Sequence, residues 1–167
     1  MNLKNIPLHE QYPEKLNVVI EIPKGSSNKY EVTEDGIIAL DRVLHSPFFY
    51  PADYGFVPGT LAEDGDPVDV LVVTDSPCFP GCLVEARPIG ILYMEDDKGK
   101  DEKVIAVQTK NPRYKHINDV ADLGEHIVKE FDHFFSEYKK LEGKWAKTAG
   151  HAGKDAAIEY LKKQLDK

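Results

Sequence analysis

Cysteine, positive charge and long apolar runs are all scarce in this chain, and each shortage excludes a class of protein. Only two of its 167 residues are cysteines, Cys78 and Cys82, in Pro-Cys-Phe-Pro-Gly-Cys. A disulfide-stapled scaffold would carry more, and a chain of this length buries roughly 70% of its unfolded surface and needs no staple. Three residues separate the two thiols, whereas a redox pair has two between them. A zinc site would need two further ligands, and no His lies near in sequence. Two reduced, partly buried thiols at a turn are therefore expected. No stretch approaches the ~20 apolar residues of a membrane span. The opening Met-Asn-Leu-Lys-Asn-Ile-Pro has no apolar secretory core, so a cytoplasmic protein is expected. Lys and Arg total 21 against 29 Asp and Glu, a formal charge of −8. A duplex-binding protein would show a basic face instead. An anionic substrate remains compatible with this charge if divalent cations stand between it and the protein. A phosphate-binding P-loop, a dinucleotide glycine fingerprint and a Gly-x-Ser-x-Gly elbow are also missing.

What is present reads as one domain over residues 1–167, with an ordinary 41% hydrophobic and 30% charged content. The first two thirds predict short strands at Asn17–Pro23, Lys29–Thr33, Gly36–Arg42, Val68–Thr74, Leu83–Tyr93 and Lys103–Gln108. Gly and Pro punctuate the gaps at the spacing of a small barrel or sandwich. The last third changes period. Leu123, Ile127, Phe131, Phe134, Phe135 and Tyr138 recur at helical spacing, and Asp122 with Glu125 reads as a capping box. A helix over Asp122–Leu141 follows, its aromatic stripe assigned to the core. A shorter helix over Gly153–Asp166 would bury Ala157, Tyr160, Leu161 and Leu165. The expected fold is mixed α+β and mainly β, a barrel flanked by two C-terminal α-helices.

The most informative stretch is Glu63-Asp64-Gly65-Asp66-Pro67-Val68-Asp69-Val70. Three aspartates fall within six residues at the mouth of an apolar strand. Mutual repulsion and desolvation would raise their pKa values, and a hard divalent cation such as Mg²⁺ or Mn²⁺ removes that cost. A solvated Asp-Gly turn is the plain alternative. Against it, Pro67 fixes the backbone and the following strand anchors Asp69. An EF-hand loop fails, because counting from Asp64 the sixth position is Asp69 rather than Gly and the twelfth is Asp75 rather than Glu.

A second acidic run, Glu95 to Lys103, reads as a hydrophilic hairpin loop and would ordinarily be solvated. Asp101 and Lys103 nonetheless alternate toward one face, as do Lys29 and Glu31. Arg42 closes a third strand. Glu21 interrupts a fourth that is otherwise aliphatic, where a buried carboxylate needs a partner. If these strands close into one barrel, their charges converge on a face that mixes carboxylates with Lys and Arg. Phosphoryl transfer needs those groups: metal-activated water, a carboxylate to take its proton, and cations on the phosphate oxygens.

At this point the chain resembles the soluble family I inorganic pyrophosphatases of bacterial type. The resemblance runs in order through Val19-Ile20-Glu21-Ile22-Pro23, Lys29-Tyr30-Glu31, Asp41-Arg42, Phe49-Tyr50-Pro51, Tyr54-Gly55, Asp64-Gly65-Asp66-Pro67-Val68-Asp69-Val70, the Asp96–Lys103 loop, His133-Phe134-Phe135 and Tyr138-Lys139. It implies a five-stranded OB-like barrel, hydrolysis of pyrophosphate bound as a metal complex, and several Mg²⁺ ions. By position, Glu31, Asp64, Asp69, Asp96 and Asp101 would hold metals, and Asp66 would be the general base. Lys29, Arg42, Tyr54, Lys103, Tyr138 and Lys139 would hold phosphate, with Glu21, Tyr50 and Asp97 in support. A homohexamer is usual for the type, and His133 lies where subunits often meet. His126 shares its helix face, and two ordinary surface or core histidines explain the pair as well. Asp97 departs from the pattern, where Glu is often found, and after Trp145 a second Trp is replaced around Gly150-His151. Three other functions stay in view: an OB-like module that binds without turnover, a metal-binding structural domain, and a hydrolase of short polyphosphates or nucleotides.

Overall fold

A computed structural model describes residues 1–165. Among the described residues, nine strands and two α-helices follow in chain order: β1 Leu16–Ile22, β2 Asn28–Val32, β3 Ile38–Val43, β4 Asp53–Val57, β5 Val68–Val73, β6 Leu83–Asp96, β7 Gly99–Lys100, β8 Lys103–Gln108, α1 Glu125–Glu137, β9 Ala146–Gly153 and α2 Lys154–Lys163. Five strands form a ring. β1 pairs with β4, β4 with β5, β5 with β8, β8 with β6, and β6 returns to β1. The β5–β8 pair is parallel and the other four are antiparallel. The β2–β3 hairpin is a separate two-stranded sheet. The expected OB-like barrel with two C-terminal helices is the fold.

Strand alternation explains how the two helices attach. On β5, Val68, Val70 and Val72 join one buried cluster with Leu161 of α2. Leu71 and Val73 point the other way, into a cluster with Phe131, Phe134 and Phe135 of α1. Both faces are covered, which is why β5 reads as a continuous apolar run rather than an alternating one. β1 and β4 press together closely at Gly55, where an added Cβ would lie 2.0 Å from the Val19 carbonyl oxygen. Only glycine fits there.

Several boundaries differ from expectation. β4 was not expected, because a Gly inside Asp-Tyr-Gly-Phe-Val reads as a break, yet all five residues are buried. β9 was not expected either. Its Ala-Lys-Thr-Ala-Gly-His-Ala-Gly has almost no strand-forming side chains, and it forms by pairing with the long β6. The short β7 was also not expected. The first helix begins at Glu125, not Asp122. The capping box exists but belongs to the preceding 3₁₀ turn Val120–Leu123, where Asp119 caps and Asp122 answers it. That helix ends at Glu137, and a 3₁₀ turn Lys140–Glu142 follows. Val128 takes the inward position assigned to Ile127, which is 37% exposed. On α2, Ile158 is buried where Leu165 was expected to be, and Leu165 is 42% exposed. The helix stops at Lys163, with Gln164 as its cap, short of the expected end at Asp166, which itself lies outside the described residues.

Candidate active site

The site is the polar continuation of the α1-side cluster. Asp69 shares the strand face of Leu71 and Val73, and Lys103 that of Ile105 and Val107. The parallel register sets Asp69 directly opposite Lys103. Lys103 is only 2% exposed, with Nζ 2.6 Å from Asp69 Oδ2 and 2.5 Å from Asp101 Oδ1. Burial by itself would lower the Lys103 pKa, but the two carboxylates outweigh it and hold the ammonium protonated well above its ordinary value. The ammonium also sits over the Tyr54 ring, 5.6 Å from its centroid.

Around this centre opens a cavity of ≈ 680 Å³. The β4–β5 loop contributes Asp64 and Asp66, whose places are set by an Asp66 backbone N–H donating to Asp64 Oδ1 at 3.1 Å. The β2–β3 hairpin contributes Lys29 and Arg42, paired in register. Lys29 bonds Glu31 and lies 3.5 Å from Asp41. Past the end of α1, Lys139 Nζ donates to Asp96 Oδ2 at 2.7 Å, and the bond draws the Asp96 pKa down against the opposing effect of burial. Tyr50, Tyr54 and Tyr138 form the cavity's aromatic floor. Desolvation, the largest effect on each, keeps their hydroxyls protonated.

All fifteen residues singled out from the sequence line this one cavity. Tyr54, Tyr138 and Lys139 were reached through family resemblance alone, because a buried Tyr and a helix-tail Lys carry no local signal. Glu142 was missed. In Lys139-Lys140-Leu141-Glu142 it reads as a solvated tail, yet its side chain is 5% exposed and lies 2.6 Å from Arg42 Nε. Elsewhere, Cys78 and Cys82 are free, half-buried thiols packed against the α2-side cluster. Burial, helped by Asp53 and Cys82, pushes the Cys78 thiol up to about 12. His126 and His133 are both exposed, and His133 meets the Phe48 ring edge-on at 5.7 Å.

The donor set suits a divalent cation. Ten Asp and Glu against eight Lys and Arg line the cavity, so it carries excess negative charge. Asp64 registers that excess. Its pKa is raised by desolvation first and then by Asp101, Asp66 and Asp69. Among the described residues no three side chains form a preformed cage, because Lys103 stands between Asp69 and Asp101. Hard oxygen donors sharing a wet, over-negative cavity fit an ion that keeps part of its water, as Mg²⁺ does.

Glu21 is the other strained carboxylate. Its Oε1 accepts from the Val32 N–H at 2.7 Å, but burial dominates and lifts its pKa from 4.5 to about 7. A carboxyl raised in the folded state favours folding below its unfolded pKa, and that advantage is lost as pH rises toward 7. At ~1.36 kcal/mol per unit the loss is roughly 3 kcal/mol. Glu21→Gln keeps the acceptor and has no charge to bury. In metal-free protein, chemical denaturation should show Glu21→Gln gaining about that much on wild type between pH 4.5 and pH 8. Equal pH slopes for the two proteins would refute the assignment.

A family model described as Inorganic pyrophosphatase matches residues 18–167. An inorganic pyrophosphatase of Thermus thermophilus is 50% identical over 165 residues, covering 96% of this chain and 94% of that protein. The chain belongs to the inorganic pyrophosphatase family. A second family member, from Leifsonia xyli, is 57% identical over 136 residues, covering 80% of this chain and 83% of that one. The crystal structure of the Thermus thermophilus pyrophosphatase superposes with a TM-score of 0.94 at 49% identity, covering 97% of this chain and 95% of that one. The solved structure of the Helicobacter pylori pyrophosphatase gives 0.92 at 44%, covering 96% of each. A pyrophosphatase fold thus carries the β1–β8 charges described above, and among the described residues no helix is long and apolar enough to cross a membrane.

Proposed function

We propose that this cavity cleaves inorganic pyrophosphate into two orthophosphates, with Mg²⁺ as the divalent cofactor and residues 1–167 acting as one catalytic domain. Family membership supports the reaction. The observation that carries the residue assignment is the convergence of Asp69 and Asp101 on the buried Lys103. Anionic and cationic groups are packed there in a way that suits a substrate bringing both phosphate and metal. Asp64, Asp69, Asp101, Asp96 and Glu31 would hold the cations. When bound, these ions would neutralise the substrate's charge and lower the pKa of water so that it can lose a proton and attack near neutral pH, and the same oxygen donors suit Mn²⁺.

The chain's own groups do the rest. The water oxygen forms a bond to one phosphorus as the bridging P–O bond breaks, and Asp66 takes the water's proton. Lys29, Arg42, Lys103 and Lys139 hold the oxygens of the departing orthophosphate, with Tyr54 and Tyr138 donating hydroxyl hydrogen bonds. Glu21 and Tyr50 buttress this wall, and Asp97 extends the acidic rim of the Asp96 loop. A cytoplasmic location and a homohexamer belong to the same reading. Exposed Phe49 beside the Phe48–His133 contact supports a subunit face there.

Phosphate release from pyrophosphate, tripolyphosphate and ATP in the presence of Mg²⁺ tests the reaction. Pyrophosphate should be hydrolysed fastest by a wide margin. A preference for either longer substrate, or tight salt-sensitive binding of single-stranded DNA without turnover, would replace the proposal.

A further inference from the structure

Arg42 and Glu142 make an ion pair that is close but badly satisfied. Nε and Oε1 lie 2.6 Å apart, with the side chains 23% and 5% exposed. Both Arg42 Nε and Glu142 Oε2 are buried without an aligned hydrogen-bond partner. A buried carboxylate oxygen left bare is costly, and an ion pair so placed is weak evidence for stability. The pair also joins two parts of the fold that share no sheet. Arg42 belongs to the β2–β3 hairpin, outside the barrel. Glu142 ends the 3₁₀ turn Lys140–Glu142, whose backbone is tied to Lys139 by the Glu142 N–H donating to the Lys139 carbonyl at 3.0 Å. That turn closes on Gly143 at φ 71, a left-handed position suited to Gly. Glu142 therefore stands at a fixed offset from Lys139 and pairs with Arg42, which lines the cavity.

We infer that Glu142 is a positioning residue for phosphate binding. It holds the Arg42 guanidinium at a set distance from Lys139 and latches the hairpin to the turn after α1. Asp41 occupies Nη1 at 2.5 Å. Glu142 occupies the buried Nε edge, so two sides of the fork are held before substrate arrives. The fork is prearranged, which lowers the ordering cost of binding. The inference rests on the assignment of Arg42 as a phosphate ligand.

A double-mutant cycle tests it, with steady-state kinetics on Mg²⁺-pyrophosphate and a thermal midpoint for every variant. Glu142→Gln should raise KM about tenfold with a smaller fall in kcat. In an Arg42→Ala background the same change should have almost no further effect, because Glu142 acts only through Arg42. Glu142→Met, similar in length and uncharged, runs the cycle independently. Additive effects in the Arg42→Ala background would overturn the inference and leave Glu142 a structural residue. So would an unchanged KM, or a loss confined to the thermal midpoint. Failure of the underlying reading looks different: wild type itself would release no phosphate, or Arg42→Ala would leave KM unaltered.

Discussion

Asp66→Asn should cut pyrophosphate turnover by roughly 10²–10⁴, the usual scale for a lost general base, while leaving the melting temperature where it was. Asn matches Asp in shape and keeps two polar atoms on the side chain. The turn that presents Asp66 is held through the backbone: its N–H donates to Asp64 Oδ1, and its carbonyl accepts from the Ala62 N–H at 2.7 Å. The side chain itself is exposed. Folding therefore has little at stake in its charge, and proton acceptance has everything. Rates measured under saturating Mg²⁺ decide the matter. A variant that keeps more than half the wild-type kcat would remove Asp66 from the role.

Stripping divalent cations should abolish turnover and leave the barrel folded. The two large buried clusters are built from aliphatic and aromatic side chains and from the helices that cover them. None of the five carboxylates assigned to metal belongs to either cluster. Lys103 pairs with both Asp69 and Asp101, so these two carboxylates keep a partner supplied by the chain itself. Chelation thus removes charge neutralisation from the cavity without removing the core. Circular dichroism should keep its strand and helix signal, and Mg²⁺ should restore phosphate release and raise the melting temperature by ligand linkage. Unfolding on chelation, or turnover that survives it, would contradict this picture.

The acidic loop was legible because three aspartates so close to an apolar strand conflict with the core they adjoin. Glu21 was legible for the same reason: its neighbours are aliphatic, and the structure gives it one backbone partner and a pKa raised to about 7. Lys103–Gln108 was read to the residue, since a continuous β-branched run has few alternatives. β4 and β9 were not legible. A Gly in β4 reads as a break, but it is required by the 2.0 Å approach of the Val19 carbonyl. β9 gains its structure from the exposed ladder of β6 and not from its own side chains. Asp122 misled for a different reason. It is a genuine capping residue, one turn earlier than assigned, and the local pattern is the same in both frames.

The sequence by itself determined the strand-rich fold class, the two C-terminal helices, the acidic loop and the residue types the chemistry needs. Those depend on local period, composition and the cost of burying charge, all of which act over a few residues. Tertiary structure alone decided which charges meet. Asp69 and Asp101 share one ammonium across 32 residues of chain because a parallel pairing sets β5 beside β8. Arg42 and Glu142 face each other across 100 residues because a hairpin and a helix end close on the same cavity. Contacts of that range are products of strand register and helix docking, and no window of sequence contains them.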